Sequence, residues 1–242
     1  MVGLERITGG RVVEVDFARG IAIVMMLFYH TLFDLVFLGL IPSLLYLLPV
    51  VLFQRTIGFL FVLTAGVALT LSESRNKEGY WRHAKRAFKL AVVAAVITLV
   101  TWFAVPYSII TFGVIHMLAL STLIAPLFFR LGKWNLALGV VVMVLGLLVV
   151  GTVVDETWLF WLGFPHPSYA ALDYYPMLPW FGVVLLGMGL GSMIFPDGKP
   201  KYKIPKLPLM GQLAFLGRHS LTIYILHQPV ILAVLIALML LL

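Results

Sequence analysis

The sequence of 242 residues contains no cysteine. Disulfide bonds, a thiolate nucleophile and a cysteine-ligated metal site are therefore excluded from its chemistry. Charge is also scarce: 11% of the residues are charged and 62% are hydrophobic, whereas about a quarter of a soluble domain is charged. This composition indicates that lipid is the solvent for most of the chain. We expect one membrane domain over residues 1–242, without a separate soluble module.

Apolar stretches of membrane length, about 20 residues, occur seven times. They cover residues 20–40, 56–71, 87–107, 109–129, 134–154, 177–195 and 220–242. Because backbone groups cannot stay unpaired in hydrocarbon, and because these runs do not alternate like barrel strands, helices are favoured. The predicted fold is all-α, a polytopic transmembrane bundle of about seven helices. Residues 41–53 are apolar but short and contain Pro42 and Pro49, so a re-entrant or interfacial helix is expected there.

The net charge of +7 would raise the question of nucleic acid in a soluble protein, but the positions of the cations explain it better. With seven crossings and a cytoplasmic N-terminus, every cation cluster falls on the inner face and only Arg55 lies outside. The inner cations are Arg6, Arg11, Arg19, Arg75, Lys77, Arg82, Lys85, Arg86, Lys89, Arg130, Lys133, Lys199, Lys201, Lys203, Lys206 and Arg218. A multi-pass protein of the cell membrane with a cytoplasmic N-terminus is therefore predicted, and nucleic acid is not an expected partner.

Four ionisable residues lie inside apolar stretches: His30, Asp34, His116 and His227. Such groups cost about 2.5 to 3.5 kcal/mol on insertion scales and usually face a cavity or a partner. From the helical rise, each histidine lies about 14 to 21 Å from the nearest inner-face arginine along its helix. The three histidines are therefore predicted to converge near the middle of the bilayer, where they could serve catalysis. They could equally hold neighbouring helices together through hydrogen bonds.

Asp34 follows His30 by four residues, which places both on one face of a helix. The carboxylate could hold one imidazole nitrogen and leave the other free to take a proton, as in a general-base pair. Alternatively, Asp34 lies close enough to the outer surface to be solvated. Asp16 and Arg19 are three residues apart and could form an ion pair. The cluster Arg82, Lys85, Arg86 and Lys89 indicates either a face toward lipid headgroups or a phosphate site.

Several blocks of sequence resemble a known family. Residues 14–34 read EVDFARGIAIVMMLFYHTLFD, and later blocks are FVLTAGVALTLS from Phe61, FGVIHMLALS from Phe112, DYYPMLPWFGVVLLGMGLG from Asp173 and LGRHSLTIYILHQP from Leu216. They are similar to the transmembrane acyltransferases: the heparan-alpha-glucosaminide N-acetyltransferase catalytic-domain family and the related acyltransferase-3 family of O-acylases. In the O-acylases an arginine, ten intervening residues and a histidine mark the first helix, and Arg19 and His30 have that spacing.

The resemblance implies an acyl-CoA, with acetyl-CoA expected, whose acyl group passes to an amine or hydroxyl of a glycan or glycolipid on the other side. Expected partners are acyl-CoA, that acceptor and the bilayer, with a homodimer as the alternative to a single chain; no metal is expected. Arg19, Arg218 and Ser220, helped by Arg82, Lys85 or Arg86, would bind CoA. His30, oriented by Asp34, would be the base, or would carry a transient acyl group. His116, His227 or Tyr224 would stabilise the oxyanion.

Other classes of protein also accommodate intramembrane histidines. A proton-coupled transporter of small molecules uses His and Asp residues in the same way, although the paired, broken helices of inverted repeats are not visible in the sequence. Facing histidines could ligate haem or a metal. A non-catalytic membrane scaffold is the remaining alternative.

Overall fold

The computed structural model describes residues 12–75, 79–201, 205 and 207–241. Its α-helices are α1 (Val13–Phe37), α2 (Leu48–Arg75), α3 (Tyr80–Ala104), α4 (Val114–Ile124), α5 (Asn135–Val149), α6 (Met177–Ile194), α7 (Met210–Arg218) and α8 (Ser220–Leu241). A 3₁₀ helix, Ala125–Trp134, joins α4 to α5, and a short one spans Pro196–Gly198. The described residues contain no strand beyond an isolated bridge between Phe112 and Tyr174. The predicted all-α class is confirmed.

Six helical segments of the described chain are long and apolar enough to cross a membrane. The longest, Val114–Val149, has 36 residues, which at about 1.5 Å each far exceeds a hydrocarbon core of about 30 Å. It bends at Gly132, whose φ of 50° and ψ of −123° are not helical and fall where only glycine is unstrained. The seven predicted apolar stretches therefore correspond to six long segments, one of which is interrupted by a turn.

Contacts with α6 show that this segment folds back on itself. Before the bend, the Phe128 ring lies 5.4 Å from the Phe181 ring of α6. After it, Gly139 contacts Gly182. Further along α5, Gly146 packs on Pro179, so α5 runs antiparallel to α6. The two arms of the segment lie against the same stretch of α6, and the chain reverses its direction between them.

Residues 41–53 do not form the separate re-entrant or interfacial helix predicted from their two prolines. Residues 38–47 are non-helical, and α2 begins at Leu48 and continues through Arg75. Pro49 lies in the first turn of α2, where its missing N–H would have no helical partner in any case. The sequence prediction was wrong because proline occurs both in the first turn of a helix and where a helix is interrupted, and the sequence around Pro49 does not distinguish the two.

The chain divides into two compact units, Met1–Phe61 with Lys203–Leu242, and Val62–Tyr202. The first unit contains α1, α7, α8 and the beginning of α2, around the buried residues Ile23, Met26 and Ile57. The second contains the rest of α2 and α3 to α6. The single-domain assignment stays a prediction. So does the cytoplasmic N-terminus, and five of the cations on which it depends, Arg6, Arg11, Lys77, Lys203 and Lys206, lie outside the described residues.

Candidate functional site

The first unit brings α7 unusually close to the beginning of α1. A Cβ added to Gly217 would overlap the carbonyl oxygen of Asp16, and one added to Gly20 would overlap that of Leu213. Two glycines therefore permit contact between the two backbones. Their sequence neighbours, Arg218 and Arg19, lie at this same crossing, so the structure places the two predicted phosphate-binding arginines on one local feature.

Arg19 also forms the ion pair predicted from its spacing. Its Nη1 lies 3.7 Å from Oδ1 of Asp16, three residues earlier, and both side chains are largely buried. The Nε of Arg218 is buried, and no group in the described chain accepts a hydrogen bond from it. The Arg218 guanidinium lies 6.0 Å from the centre of the Phe215 ring. The crossing thus holds two guanidinium groups, and the Nε–H of Arg218 is available to donate to a ligand.

His30 on α1 and His227 on α8 are in direct contact. Their ring centres are 4.5 Å apart and their planes meet at 85°, an edge-to-face arrangement. His227 is 7% exposed and His30 is partly exposed. The structure therefore brings together two of the three histidines that were predicted to converge, and their depth near the middle of the bilayer stays a prediction.

The backbone decides which nitrogen of each ring is available. Nδ1 of His30 lies 3.0 Å from the Met26 carbonyl oxygen, one turn earlier on α1. Nδ1 of His227 lies 2.6 Å from the Tyr224 carbonyl oxygen. Since a carbonyl oxygen only accepts, both Nδ1 atoms carry and donate the proton. In each neutral ring the lone pair therefore lies on Nε2, the nitrogen that can take a proton or attack a carbonyl carbon.

Asp34 does not orient His30, contrary to the sequence prediction. Met26 supplies the acceptor for the imidazole N–H, and Oδ1 of Asp34 instead accepts a hydrogen bond from Nε2 of Gln228 at 2.5 Å. Asp34 is 1% exposed, so the alternative of a solvated surface carboxylate is also wrong. A backbone carbonyl four residues back is always present in a helix, and this local partner outcompetes the carboxylate at the same spacing.

Gln228 was missed by the sequence reasoning. It follows His227 directly, so the only available signal was a second polar residue in the apolar stretch of α8. Together the four side chains form two layers between α1 and α8, with His30 against His227 in one and Asp34 against Gln228 in the other. We call these four residues the paired-histidine site.

Tyr224 and Ser220 lie on the same helix as His227. The Tyr224 ring is 5.5 Å from the His227 ring and packs partly buried against the core of the first unit. Ser220 is the first residue of α8, directly after His219 and close in sequence to Arg218. Both residues are therefore on the element that carries His227, Tyr224 beside the imidazole and Ser220 toward the arginine end.

His116 belongs to the second unit and begins a helix. It lies in the first turn of α4 because residues 105–113 are not helical, and its depth near the middle of the bilayer stays a prediction. Its Nδ1 accepts the Gly113 N–H at 3.3 Å, and its Nε2 donates to Thr98 Oγ1 at 3.0 Å. The Thr98 hydroxyl in turn donates to the Ile110 carbonyl. Both ring nitrogens of His116 are therefore occupied by structural hydrogen bonds.

The predicted basic cluster of α3 lines a cavity of about 500 Å³ on that helix. Its lining residues are Trp81, Arg82, Lys85, Arg86 and Lys89. Arg82 also donates to the Ser72 carbonyl at 3.3 Å, and the neighbouring His83, 2% exposed, pairs with Glu73 at 3.0 Å. A face with four cations and an indole suits a phosphate-bearing ligand, so both sequence interpretations of this cluster remain compatible with its geometry.

The predicted outer loop, residues 155–175, is built on aromatic contacts. The Tyr169 ring packs at 5.5 Å on Phe160 and at 5.0 Å on Tyr174, whose hydroxyl donates to the Phe160 carbonyl. Burial raises the pKa of both Tyr169 and Tyr174 above the ordinary value of tyrosine. Oδ2 of Asp173 accepts the Val114 N–H at 3.0 Å, which ties this loop to the beginning of α4. The tyrosines therefore hold the loop in place as neutral phenols.

These features define a polytopic helical membrane protein in which one compact unit carries two imidazoles in contact, one buried and one partly exposed, about half a helix length from two arginines. The family model described as heparan-alpha-glucosaminide N-acetyltransferase, catalytic, matches residues 11–229, and the chain belongs to this family. No curated protein and no solved structure matches it. Membership implies a membrane acetyltransferase of a family that in general uses acetyl-CoA as donor. The relation to the acyltransferase-3 O-acylases stays a prediction.

No group of three or more His, Asp or Glu side chains in the described part of the chain is arranged to hold a metal ion. The expectation that the protein works without a metal stays a prediction.

Proposed function

We propose that this protein transfers an acetyl group from cytoplasmic acetyl-CoA to an amine or hydroxyl of a sugar or glycolipid on the outer side of the cell membrane. The observation that carries the proposal is the His30–His227 pair, in which both Nδ1 protons are donated to backbone carbonyls and both lone pairs lie on Nε2. Placing two bases in contact inside an apolar bundle costs free energy, so we assign them a function, and proton transfer is the one their free Nε2 lone pairs suit.

His30 is the general base of this mechanism. Its Nε2 removes a proton from the acceptor N–H or O–H while the acceptor atom attacks the thioester carbonyl carbon. The tetrahedral intermediate collapses, the C–S bond breaks, and CoA leaves as a thiolate that takes the proton back from the His30 imidazolium. The same lone pair could attack the thioester directly to give a transient acyl-histidine, which the acceptor then resolves.

His227 has a different role from the oxyanion donor predicted from the sequence. With its proton on Nδ1 and engaged by Tyr224, its Nε2 accepts and does not donate. It therefore serves as a second base beside His30. The Tyr224 hydroxyl, on a ring 5.5 Å from His227, is the remaining candidate for stabilising the developing oxyanion.

In this proposal the CoA phosphates are bound by Arg19 and Arg218 at the α1–α7 crossing, together with Ser220 at the beginning of α8. Guanidinium groups suit phosphate because they donate parallel hydrogen bonds to its oxygens. His30 follows Arg19 by eleven positions on α1, about 16 Å of helix. The pantetheine arm of CoA is long and thin, so it spans this distance while its charged nucleotide remains in water. Arg82 and Arg86 are the alternative phosphate ligands.

The test is acetyl-CoA consumption with D-glucosamine as acceptor in proteoliposomes that contain the wild type, His30→Ala or His219→Ala. His219 is the matched control because its Nδ1 also donates to the carbonyl four residues earlier, Phe215, but the residue is exposed. Loss of a general base should reduce turnover by about 10²- to 10⁴-fold in His30→Ala and leave His219→Ala near the wild type. A folded wild type that neither binds CoA nor releases it would overturn the proposal, and turnover that survives His30→Ala would remove His30 from it.

No observation on the described residues favours the proton-coupled transporter, the haem protein or the scaffold over an acetyltransferase.

A further inference from the structure

The paired-histidine site contains three buried acceptor atoms without a donor. They are Oδ2 of Asp34, Oε1 of Gln228 and Nε2 of His227, none of which has a hydrogen-bond partner in the described chain. Asp34 is 1% exposed and His227 is 7% exposed. Buried polar atoms are rarely left unpaired, because each unpaired atom loses its hydration without compensation. Three such atoms on two adjacent helices therefore require an explanation.

Two donors of the site are already engaged, one N–H of the Gln228 amide and the ring N–H of His227. A carboxylate oxygen can only accept, so Gln228 must turn its Nε2 toward Oδ1 of Asp34, and this leaves its Oε1 as a further acceptor. The only N–H of the His227 ring is donated to Tyr224. The three buried atoms that have no partner are all acceptors, which a ligand rich in N–H or O–H groups would complement.

The spacing of the two layers matches a small polyol. His30 and Asp34 are one helical turn apart, about 6 Å along α1, and His227 and Gln228 are consecutive on α8. A group at the histidine layer that is about to be acetylated would therefore have its neighbouring groups at the Asp34–Gln228 layer. This distance is about that across a pyranose ring with its substituents.

We propose that Asp34, Gln228 and His227 form the subsite that holds the acceptor of acetyl transfer, by accepting N–H or O–H hydrogen bonds from a sugar. The inference rests on the proposed function, since that function supplies the acceptor. Asp34 and His227 touch the substrate. Gln228 is in part a positioning residue, because its hydrogen bond to Oδ1 fixes the direction in which Oδ2 of Asp34 points.

An interhelical tie is the competing explanation of the Asp34–Gln228 hydrogen bond, since such pairs also stabilise helix packing in membranes. The two explanations differ in what the substitutions should change. A tie affects the folded state and therefore all activities together. An acceptor subsite affects sugar binding and leaves CoA binding unchanged.

The experiment compares Asp34→Asn, Gln228→Met and the exchanged pair Asp34→Asn with Gln228→Glu, which keeps one carboxylate and one amide but reverses their helices. Gln212→Met is the control, because it removes an exposed amide from α7. For each purified protein we would measure thermal stabilisation by D-glucosamine and by D-glucose, the Kd for CoA, and kcat and KM for sugar acetylation. Comparing the two sugars distinguishes an amine donor from hydroxyl donors alone.

We expect Asp34→Asn to raise the KM for the sugar at least about tenfold, as for a lost hydrogen bond to a charged group, with the Kd for CoA unchanged within about twofold. The exchanged pair should recover most of this loss, and Gln212→Met should behave as the wild type.

An unchanged KM for the sugar with lower thermal stability would overturn the subsite in favour of an interhelical tie. A loss of CoA affinity parallel to the loss of sugar affinity would do the same. A wild type that neither sugar stabilises would overturn it too. If a sugar stabilises the wild type but not Asp34→Asn and no CoA is released, the subsite stands and the proposed acetyl transfer fails.

Discussion

The histidines of the two compact units differ in what their ring nitrogens do. In the second unit, His116 uses both nitrogens, one to cap the beginning of α4 and one to reach Thr98. In the first unit, Nδ1 of His30 and Nδ1 of His227 each donate to a backbone carbonyl, and the two rings are in contact. These hydrogen bonds leave Nε2 of each ring available. The sequence analysis set His30 apart because Asp34 follows it by four residues, and it gave His116 and His227 the same expected role. The partners of the two ring nitrogens therefore differ between a histidine that caps a helix and one whose Nε2 can still accept a proton.

This difference has a physical basis in where each histidine lies in its helix. A residue in the first turn has unpaired backbone N–H groups within reach, and a side-chain acceptor there satisfies one of them. A residue in the middle of a helix finds only carbonyl oxygens, which fix the proton on Nδ1 and leave the other nitrogen outward. The local backbone therefore determines which nitrogen of each imidazole carries the proton, independently of any ligand.

The largest effect is expected where the first unit depends on backbone contact. Gly217→Ala places a Cβ against the Asp16 carbonyl oxygen, and neither backbone can move without separating α7 from α1. We expect a loss of about 1 to 3 kcal/mol in the free energy of unfolding, together with weaker CoA binding. Gly211→Ala is the matched control on the same helix, because a Cβ there meets nothing within 4 Å. Equal thermal stabilities for the two variants would show that the close crossing is not present.

The second prediction separates the two groups of arginines. If the α1–α7 crossing holds the CoA phosphates, Arg19→Gln and Arg218→Gln should each raise the Kd for CoA about tenfold or more, the cost of a lost charged hydrogen bond. Arg82→Gln and Arg86→Gln should change it by less than about twofold if α3 faces lipid headgroups. Isothermal titration with CoA at one fixed ionic strength measures both. The reverse pattern would move the phosphate site to the cavity beside Trp81.

Much of the fold followed from the sequence because lipid imposes a simple rule: an apolar run of sufficient length is a helix. The seven apolar stretches were found in this way. The break between the stretches 109–129 and 134–154 was also predicted, and the structure adds that Gly132 makes the turn while helical residues continue on both sides of it. Pro49 was misread because initiation and interruption of a helix use the same residue.

The site was predictable only in part. Ionisable residues in apolar stretches identified His30, Asp34 and His227, and the estimated depth brought two of these together correctly. Neither the Met26 carbonyl nor Gln228 could be anticipated. The first is a backbone atom, which leaves no signal in the sequence, and the second is a neutral side chain whose partner lies on a helix distant in the chain.

The smallest effect is expected at His116, and it should appear in stability. His116→Ala removes the acceptor of the Gly113 N–H and the donor to Thr98, which should cost about 1 to 2 kcal/mol of the free energy of unfolding. His116→Gln should cost less, because glutamine at this third helical position still accepts from the preceding backbone. Thermal unfolding and acetyl-CoA turnover would be measured on the same preparations. A loss of turnover in His116→Gln as large as in His30→Ala, with stability unchanged, would place catalysis at His116.

The decisive measurement is a double-mutant cycle on kcat for acetyl transfer, built from His30→Ala and His227→Ala and compared with one built from His30→Ala and His116→Ala. Side chains that act as one unit lose their effect together. The double variant at His30 and His227 should therefore be hardly slower than the slower single variant, while any small effect of His116→Ala should multiply with that of His30→Ala. Losses that simply multiply for His30 and His227 would show that the two imidazoles in contact do not work together, and would contradict a reaction centre at this pair.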